Sequence, residues 1–222
     1  MKLAEHRRDL GGLSAITIGD PDAPTVVVVL HGRMMSATDL SPFAHALGVP
    51  AYFVFPDAPL SAVPQGRTWW PVDAEARAQR LVDGAVDLHA LDPPGRAAAR
   101  ERLASLCAET ASGKRLVLVG FSQGGMLAMD HVLHGGRVDA LVLLSSTRIA
   151  FSDWQPRLPR LAGLPMLIAH GHADGELAFA AGEGLRDAAV RGGAEVQWLP
   201  FDGGHEIPLV VWRGLRHFLR RL

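Results

Sequence analysis

Serine, histidine and aspartate together can make a nucleophile for carbonyl chemistry, and this chain places one of each just past an apolar run. The segment Arg115-Leu-Val-Leu-Val-Gly120-Phe-Ser122-Gln-Gly124-Gly125 reads as strand, sharp turn and helix, with Gly-x-Ser-x-Gly across the turn. Side chains two places before and after the serine would collide with the neighbouring strand and helix, and glycine removes that clash. The turn then lifts the Ser122 hydroxyl out at the carboxyl end of its strand, where open α/β sheets bind ligands. The helix that follows aims its free N–H groups at the same place and favours developing negative charge there. The plainer reading of these residues is a strand-to-helix turn in which Ser122 caps the helix.

A serine hydroxyl needs a base to take its proton and an acid to orient that base. In an elbow of this type the chain order is serine, acid, histidine. Asp174 follows the apolar run Pro165–His170 in a glycine-bearing segment, and His205 follows Glu195–Leu199 in another. His31, His170 and His172 also sit near strand ends, but each precedes the acid and breaks the order. Among rival acids, Asp202 is too near His205 in the chain to reach behind its ring, and Glu176 is expected to open the next helix and point away. His170-x-His172-x-Asp174 has the spacing of a zinc site. No further cluster completes it, so no metal is expected. Attack on a carbonyl also requires N–H donors for the oxyanion. The N–H groups of Gln123, next after the serine, and of Arg33, in Leu30-His31-Gly32-Arg33-Met34, are the candidates.

The elements that must hold these groups alternate. Strands are expected at Thr25–Leu30, Ala51–Phe55, Arg115–Val119, Ala140–Leu144, Pro165–His170 and Glu195–Leu199. Most are continuous apolar runs, the pattern of parallel strands buried on both faces. Helices are expected at Ala37–Leu47, Ala74–Leu91, Gly95–Ala111, Gln123–His134, Glu176–Arg191 and Pro208–Arg221. The alternation implies a doubly wound, mostly parallel α/β sheet flanked by helices. Leu13–Ile18 is expected as an antiparallel strand at its edge. Pro56–Pro71 lacks periodicity and carries Trp69 and Trp70, as functional loops of that length often do.

With 222 residues, 48% hydrophobic, and no linker or repeat, the chain reads as one domain spanning 1–222. Its 22 basic and 23 acidic residues leave no basic excess, which argues against a nucleic-acid partner. The lone Cys107 is expected as a buried apolar residue, in keeping with a reducing compartment. The charged start, Met1-Lys-Leu-Ala-Glu-His-Arg-Arg, lacks a signal-peptide core, and no apolar run approaches the length of a membrane span. A cytoplasmic location is the expectation.

Four strings, Leu30-His31-Gly32, Gly120-Phe-Ser122-Gln-Gly124-Gly125, His170-Gly171-x-x-Asp174 and Gly204-His205-Glu-Ile, resemble the phospholipase/carboxylesterase family, and in the family's order. The resemblance runs from about Thr25 to the C-terminus. It implies an α/β-hydrolase fold without a large lid domain, no cofactor, a Ser122–His205–Asp174 triad and an oxyanion hole at Arg33 and Gln123. The substrate it implies is a small-molecule ester or thioester, cleaved through an acyl-enzyme. A dienelactone-type lactone, or a silent binding role, is the alternative. Two departures stand out: Met34 occupies a place usually held by glycine, and Gly175-Glu-Leu follows the acid where proline and valine are usual. Met34 by that departure, and Trp69 and Trp70 by the position of their loop, are the candidate pocket residues, and Arg33 and Arg67 are candidate partners for an anionic group.

Overall fold

The computed structural model describes residues 4–82 and 84–222. In chain order the strands are β1 (Glu5–Leu10), β2 (Leu13–Ile18), β3 (Thr25–Leu30), β4 (Tyr52–Pro56), the two-residue β5 (Leu60–Ser61) and β6 (Arg67–Thr68), β7 (Arg115–Phe121), β8 (Ala140–Leu144), β9 (Pro165–Gly171) and β10 (Glu195–Phe201). The helices are α1 (Ala37–Leu40), α2 (Phe43–Leu47), α3 (Ala74–Val82), α4 (Arg96–Thr110), α5 (Gln123–Leu133), α6 (Phe151–Trp154), α7 (Phe179–Arg191) and α8 (Leu209–Leu219), with a 3-10 turn at Gln155–Leu161.

Eight strands form one sheet in the order β1-β2-β4-β3-β7-β8-β9-β10, parallel from β4 through β10 and antiparallel at the β1–β2–β4 end. β5 and β6 pair as a separate small ribbon within the Pro56–Pro71 segment. The central strands are apolar throughout because both faces are covered. Val26, Val28 and Leu30 of β3 face the layer holding α4, α5, α6 and α7, while Val27 and Val29 face α1, α2 and α8. Each such side chain, fully removed from water, contributes about 1.5–3 kcal/mol.

Three of the expected elements in the first half of the chain are observed differently. The charged segment Glu5–Leu10 is a strand, so β2 is not the edge, and β2 pairs with β4 rather than with the strand that follows it. β1 escapes a periodicity search because all of its side chains but Leu10 are exposed. The helix expected over Ala37–Leu47 is broken into α1 and α2 at Ser41-Pro42, since proline removes a helical donor and clashes with the preceding turn. The helix expected over Ala74–Leu91 ends at Val82, and of its remainder Asp83 lies outside the described residues, as do Met1–Leu3.

α5 is buried along its whole length, including Asp130. That carboxylate is paired with Arg96 and Arg100 of α4 and accepts the Trp154 indole N–H of α6 at 2.8 Å, so one buried charge ties three helices together. Among the described residues no helix is long and apolar enough to cross a membrane.

Candidate active site

β7 ends at Phe121, and α5 begins at Gln123, which leaves Ser122 alone to reverse the chain. Its backbone takes φ 52° and ψ −118°, a conformation that costs an L-residue about 1–3 kcal/mol. Packing around it enforces that geometry. A Cβ on Gly120 would lie 2.4 Å from the Gly124 carbonyl oxygen, and one on Gly124 would lie 2.4 Å from that of Leu30. The helix thus starts in direct contact with β3, which only glycine permits. Ser122 makes no side-chain cap to α5. Its hydroxyl lies 2.9 Å from His205 Nε2 instead.

His205 Nδ1 lies 2.8 Å from Asp174 Oδ2. An ionised carboxylate only accepts, so Nδ1 carries the proton and Nε2 is free to accept from Ser122. The other Asp174 oxygen accepts the N–H groups of Glu176 and Leu177, each at 2.9 Å. Burial alone would raise the Asp174 carboxyl. Hydrogen bonds from His170 and His205, with the Leu177 N–H, more than offset burial and hold it well below the usual carboxylate range. The side chain of His205 is partly open to solvent, and its ring packs against Phe121 with centroids 5.1 Å apart.

His170 supplies a contact that its place in the chain order did not suggest. It is fully buried, its Nε2 lies 3.0 Å from the Leu177 carbonyl oxygen and 3.3 Å from Asp174 Oδ2. A carbonyl accepts only, so Nε2 carries the proton and donates to Leu177 O, with the Asp174 carboxylate beside it. The signal was available: residues i and i+4 across a strand end, both in glycine-bearing text. His172 turns elsewhere, 3.0 Å from the exposed Asp202, so the alternating His-x-His-x-Asp does not converge.

On the opposite wall, the backbone N–H groups of Arg33 and Gln123 have no acceptor among the described residues. The backbone is fixed on both sides of Arg33. His31 is buried, which lowers its pKa, and its hydrogen bonds define a neutral ring, with Nε2 accepting the Ala58 N–H at 3.0 Å and Nδ1–H donating to Gly32 O at 2.7 Å. Met34 adopts φ 68°, the left-handed conformation that glycine would take freely, and its N–H donates to Arg67 O at 2.8 Å. Here the unusual residue of the Leu30–Met34 string carries real backbone strain, about 1–2 kcal/mol.

The buried Gln123 side chain does more than the sequence reveals. Its amide oxygen accepts the Trp69 N–H at 3.0 Å and lies 3.0 Å from the Thr68 hydroxyl, tying the tryptophan loop to the serine turn. Trp69 is not a pocket residue. It is 2% exposed, and its indole N–H donates to His31 O at 2.8 Å, which makes it a loop anchor. Trp70 does face the cavity beside Ser122.

That cavity, about 370 Å³, lies at the small end of the usual range for ligand pockets. Ser122, Gln123 and His205 lie along it, Val86, Leu88, Leu91, Met126 and Ile149 make its apolar interior, and Met34 and Arg33 form part of the wall. Glu176 lines it too, paired with Arg77 of α3, so it does not point away; α7 starts only at Phe179. Arg67 lies off the cavity, its guanidinium spent on Ala58 O at 2.7 Å and Pro59 O at 3.4 Å.

By sequence, residues 13–222 match the phospholipase/carboxylesterase family, and the chain belongs to that family. Solved structures with the same fold include a carboxylesterase from Mesorhizobium loti (21% identity, TM-score 0.75, covering 99% of each chain). Acyl-protein thioesterase 2 of Zea mays (20% identity, TM-score 0.77) covers 93% of this chain and 97% of its own. Esterase PE8 (24% identity, TM-score 0.75) covers 100% of this chain and 99% of its own. No curated protein matches the chain.

Proposed function

We propose that the protein hydrolyses carboxylic esters of small to medium acyl groups through an acyl-enzyme on Ser122. The observation that carries this reading is the hydrogen-bonded chain from Ser122 Oγ through the His205 ring to Asp174, at 2.9 and 2.8 Å. His205 Nε2 takes the serine proton as Oγ attacks the carbonyl carbon, and the N–H groups of Arg33 and Gln123 hold the oxyanion. The imidazolium then protonates the leaving alkoxide, and the acyl group stays on Oγ. Water, deprotonated by His205, attacks that ester and releases the acid, returning the proton to Ser122. Asp174 holds the ring in the Nδ1–H form throughout and stabilises its charged state. The apolar interior of the cavity, Leu88, Met126 and Ile149 among it, supports an acyl chain as occupant.

A fluorophosphonate probe tests the nucleophile, with intact-mass analysis before and after peptide mapping. One adduct on Ser122, absent from Ser122→Ala, is expected, together with turnover of 4-nitrophenyl butanoate that the same substitution abolishes. Esterase activity retained by Ser122→Ala would refute the assignment. Running acyl thioesters beside the nitrophenyl esters ranks the two substrate types.

A further inference from the structure

The wall of the cavity carries charge as well as shape. Three guanidinium groups, those of Arg33, Arg77 and Arg80, line it, against the single carboxylate of Glu176 among the described residues. Glu176 is paired with Arg77. Arg33 has only weak neutral acceptors: its Nη1 lies 3.1 Å from Met34 Sδ and its Nη2 lies 3.3 Å from Val63 O. Among the described residues no carboxylate pairs with it. A thioether is a poor acceptor, and a guanidinium has five donors to place. Arg33 is also half-buried, and both that burial and the nearby charge of Arg77 work against its protonated form, with Glu176 opposing. A guanidinium held against an apolar cavity with no carboxylate bonded to it among the described residues is a standing site for an anion.

We infer that the Arg33 guanidinium is an anion subsite, so that the preferred ester carries a carboxylate or phosphate alongside its apolar group. This rests on the ester-hydrolase reading above and adds the substrate class to it. The apolar part of such a molecule occupies the interior by Leu88, Met126 and Ile149, while its anionic part sits against Arg33, with Arg80 of α3 adding positive potential. The contrast with Arg67 sharpens the choice. Both arginines flank the Met34 turn, but Arg67 is committed to two backbone carbonyls and only Arg33 lines the cavity. The anion belongs to the acyl chain or to the leaving group, and matched substrates tell these apart.

The test compares kcat/KM for two pairs. On the acyl side, the mono-4-nitrophenyl ester of glutaric acid is set against 4-nitrophenyl pentanoate. On the leaving-group side, 4-(butanoyloxy)benzoate is set against phenyl butanoate. Each ratio is measured in wild type, Arg33→Gln and Arg33→Lys, so that intrinsic reactivity cancels between proteins. Fluorophosphonate labelling of Ser122 in each variant reports that the site is assembled. In at least one pair, wild type is expected to favour the anionic member by roughly tenfold to a hundredfold, the range of a hydrogen-bonded charge pair. Arg33→Gln brings that ratio close to one, and Arg33→Lys keeps part of it. Hydrolysis without preference in either pair, or a preference that survives Arg33→Gln unchanged, overturns the subsite and leaves the esterase reading standing. If no member of either pair is hydrolysed, the esterase reading falls and the subsite with it.

Discussion

The floor and the roof of the cavity are built on different physical terms. The floor consists of strand ends and the first turn of α5, where Ser122 is set by packing that leaves no room for a Cβ at Gly120 or Gly124, and Asp174 by donors from two rings and two backbone N–H groups. The roof is α3 with Val86, Leu88 and Leu91, and α3 has no buried residue at all. Groups that must be placed to a fraction of an ångström sit where the backbone has no alternative. Arg77 and Arg80, which line the cavity, sit on a helix that buries none of its own side chains.

The largest expected effect breaks the floor. Asp174→Asn keeps the shape but removes the acceptor that holds His205 in the Nδ1–H form, and kcat/KM for 4-nitrophenyl butanoate should fall roughly ten-thousandfold. A loss under tenfold would mean that His205 is oriented by something else.

Next is a pH effect from beneath the floor. His131 of α5 is buried, and burial pushes its pKa down to about 4 from 6.5, with Asp130 opposing and Arg100 assisting. A histidine depressed in the folded state contributes its stability fully above the unfolded value near 6.5 and loses it as pH falls toward 4. Urea unfolding should therefore show about 3 kcal/mol lost across that window, with His31 acting in the same sense. His131→Leu should flatten the slope. Asp174 acts lower down: its depressed pKa stabilises the fold above pH 4 and is lost only in stronger acid.

A smaller effect comes from where floor meets roof. Met34→Gly relieves a left-handed backbone at a cost of lost side-chain contact, so its midpoint in urea should move by no more than about 1 kcal/mol. Its signature is selectivity: kcat/KM for octanoyl relative to butanoyl ester should rise as the wall recedes. An unchanged chain-length profile would take Met34 out of the wall. Smallest of all, Glu75→Ala and Gln79→Ala on exposed faces of α3 should each shift stability by less than about 0.5 kcal/mol. A larger loss would mean that the roof is structural after all.

How much of this is legible in the sequence follows the same division. β3, β7, β8 and β9 are readable because strands covered on both faces run apolar through their middles, with polar residues such as Thr25, Arg115 and His170 kept toward the ends. That Ser122, Asp174 and His205 come together follows from their all standing just past the carboxyl ends of parallel neighbours, where the topology leaves few other destinations. What the sequence does not disclose is where side chains go once the backbone leaves the sheet. Trp69 and Trp70 are adjacent and alike in type, yet one anchors His31 and the other faces the cavity. Arg33 and Arg67 are similarly alike, and only the paths of their loops separate them. Glu176 is read as a helix opener because α7 is expected three residues too early. β1 is unreadable for the opposite reason: its side chains meet water on both faces, so no pattern of burial is imposed on them.

That exposed strand has a consequence for how the molecules behave in a crowd. The sheet is open at β1 and at β10, and an open edge is a template onto which another chain can add a strand. Five of the six residues of β1 are ionisable, so a flat apolar partner would meet a row of hydrated charge there. At the far edge Pro200 lies near the end of β10, still in register with β9, and has no N–H to offer. The two ends of the sheet thus differ in what they oppose to an added strand, charge along the whole of β1 and a single missing donor near the end of β10.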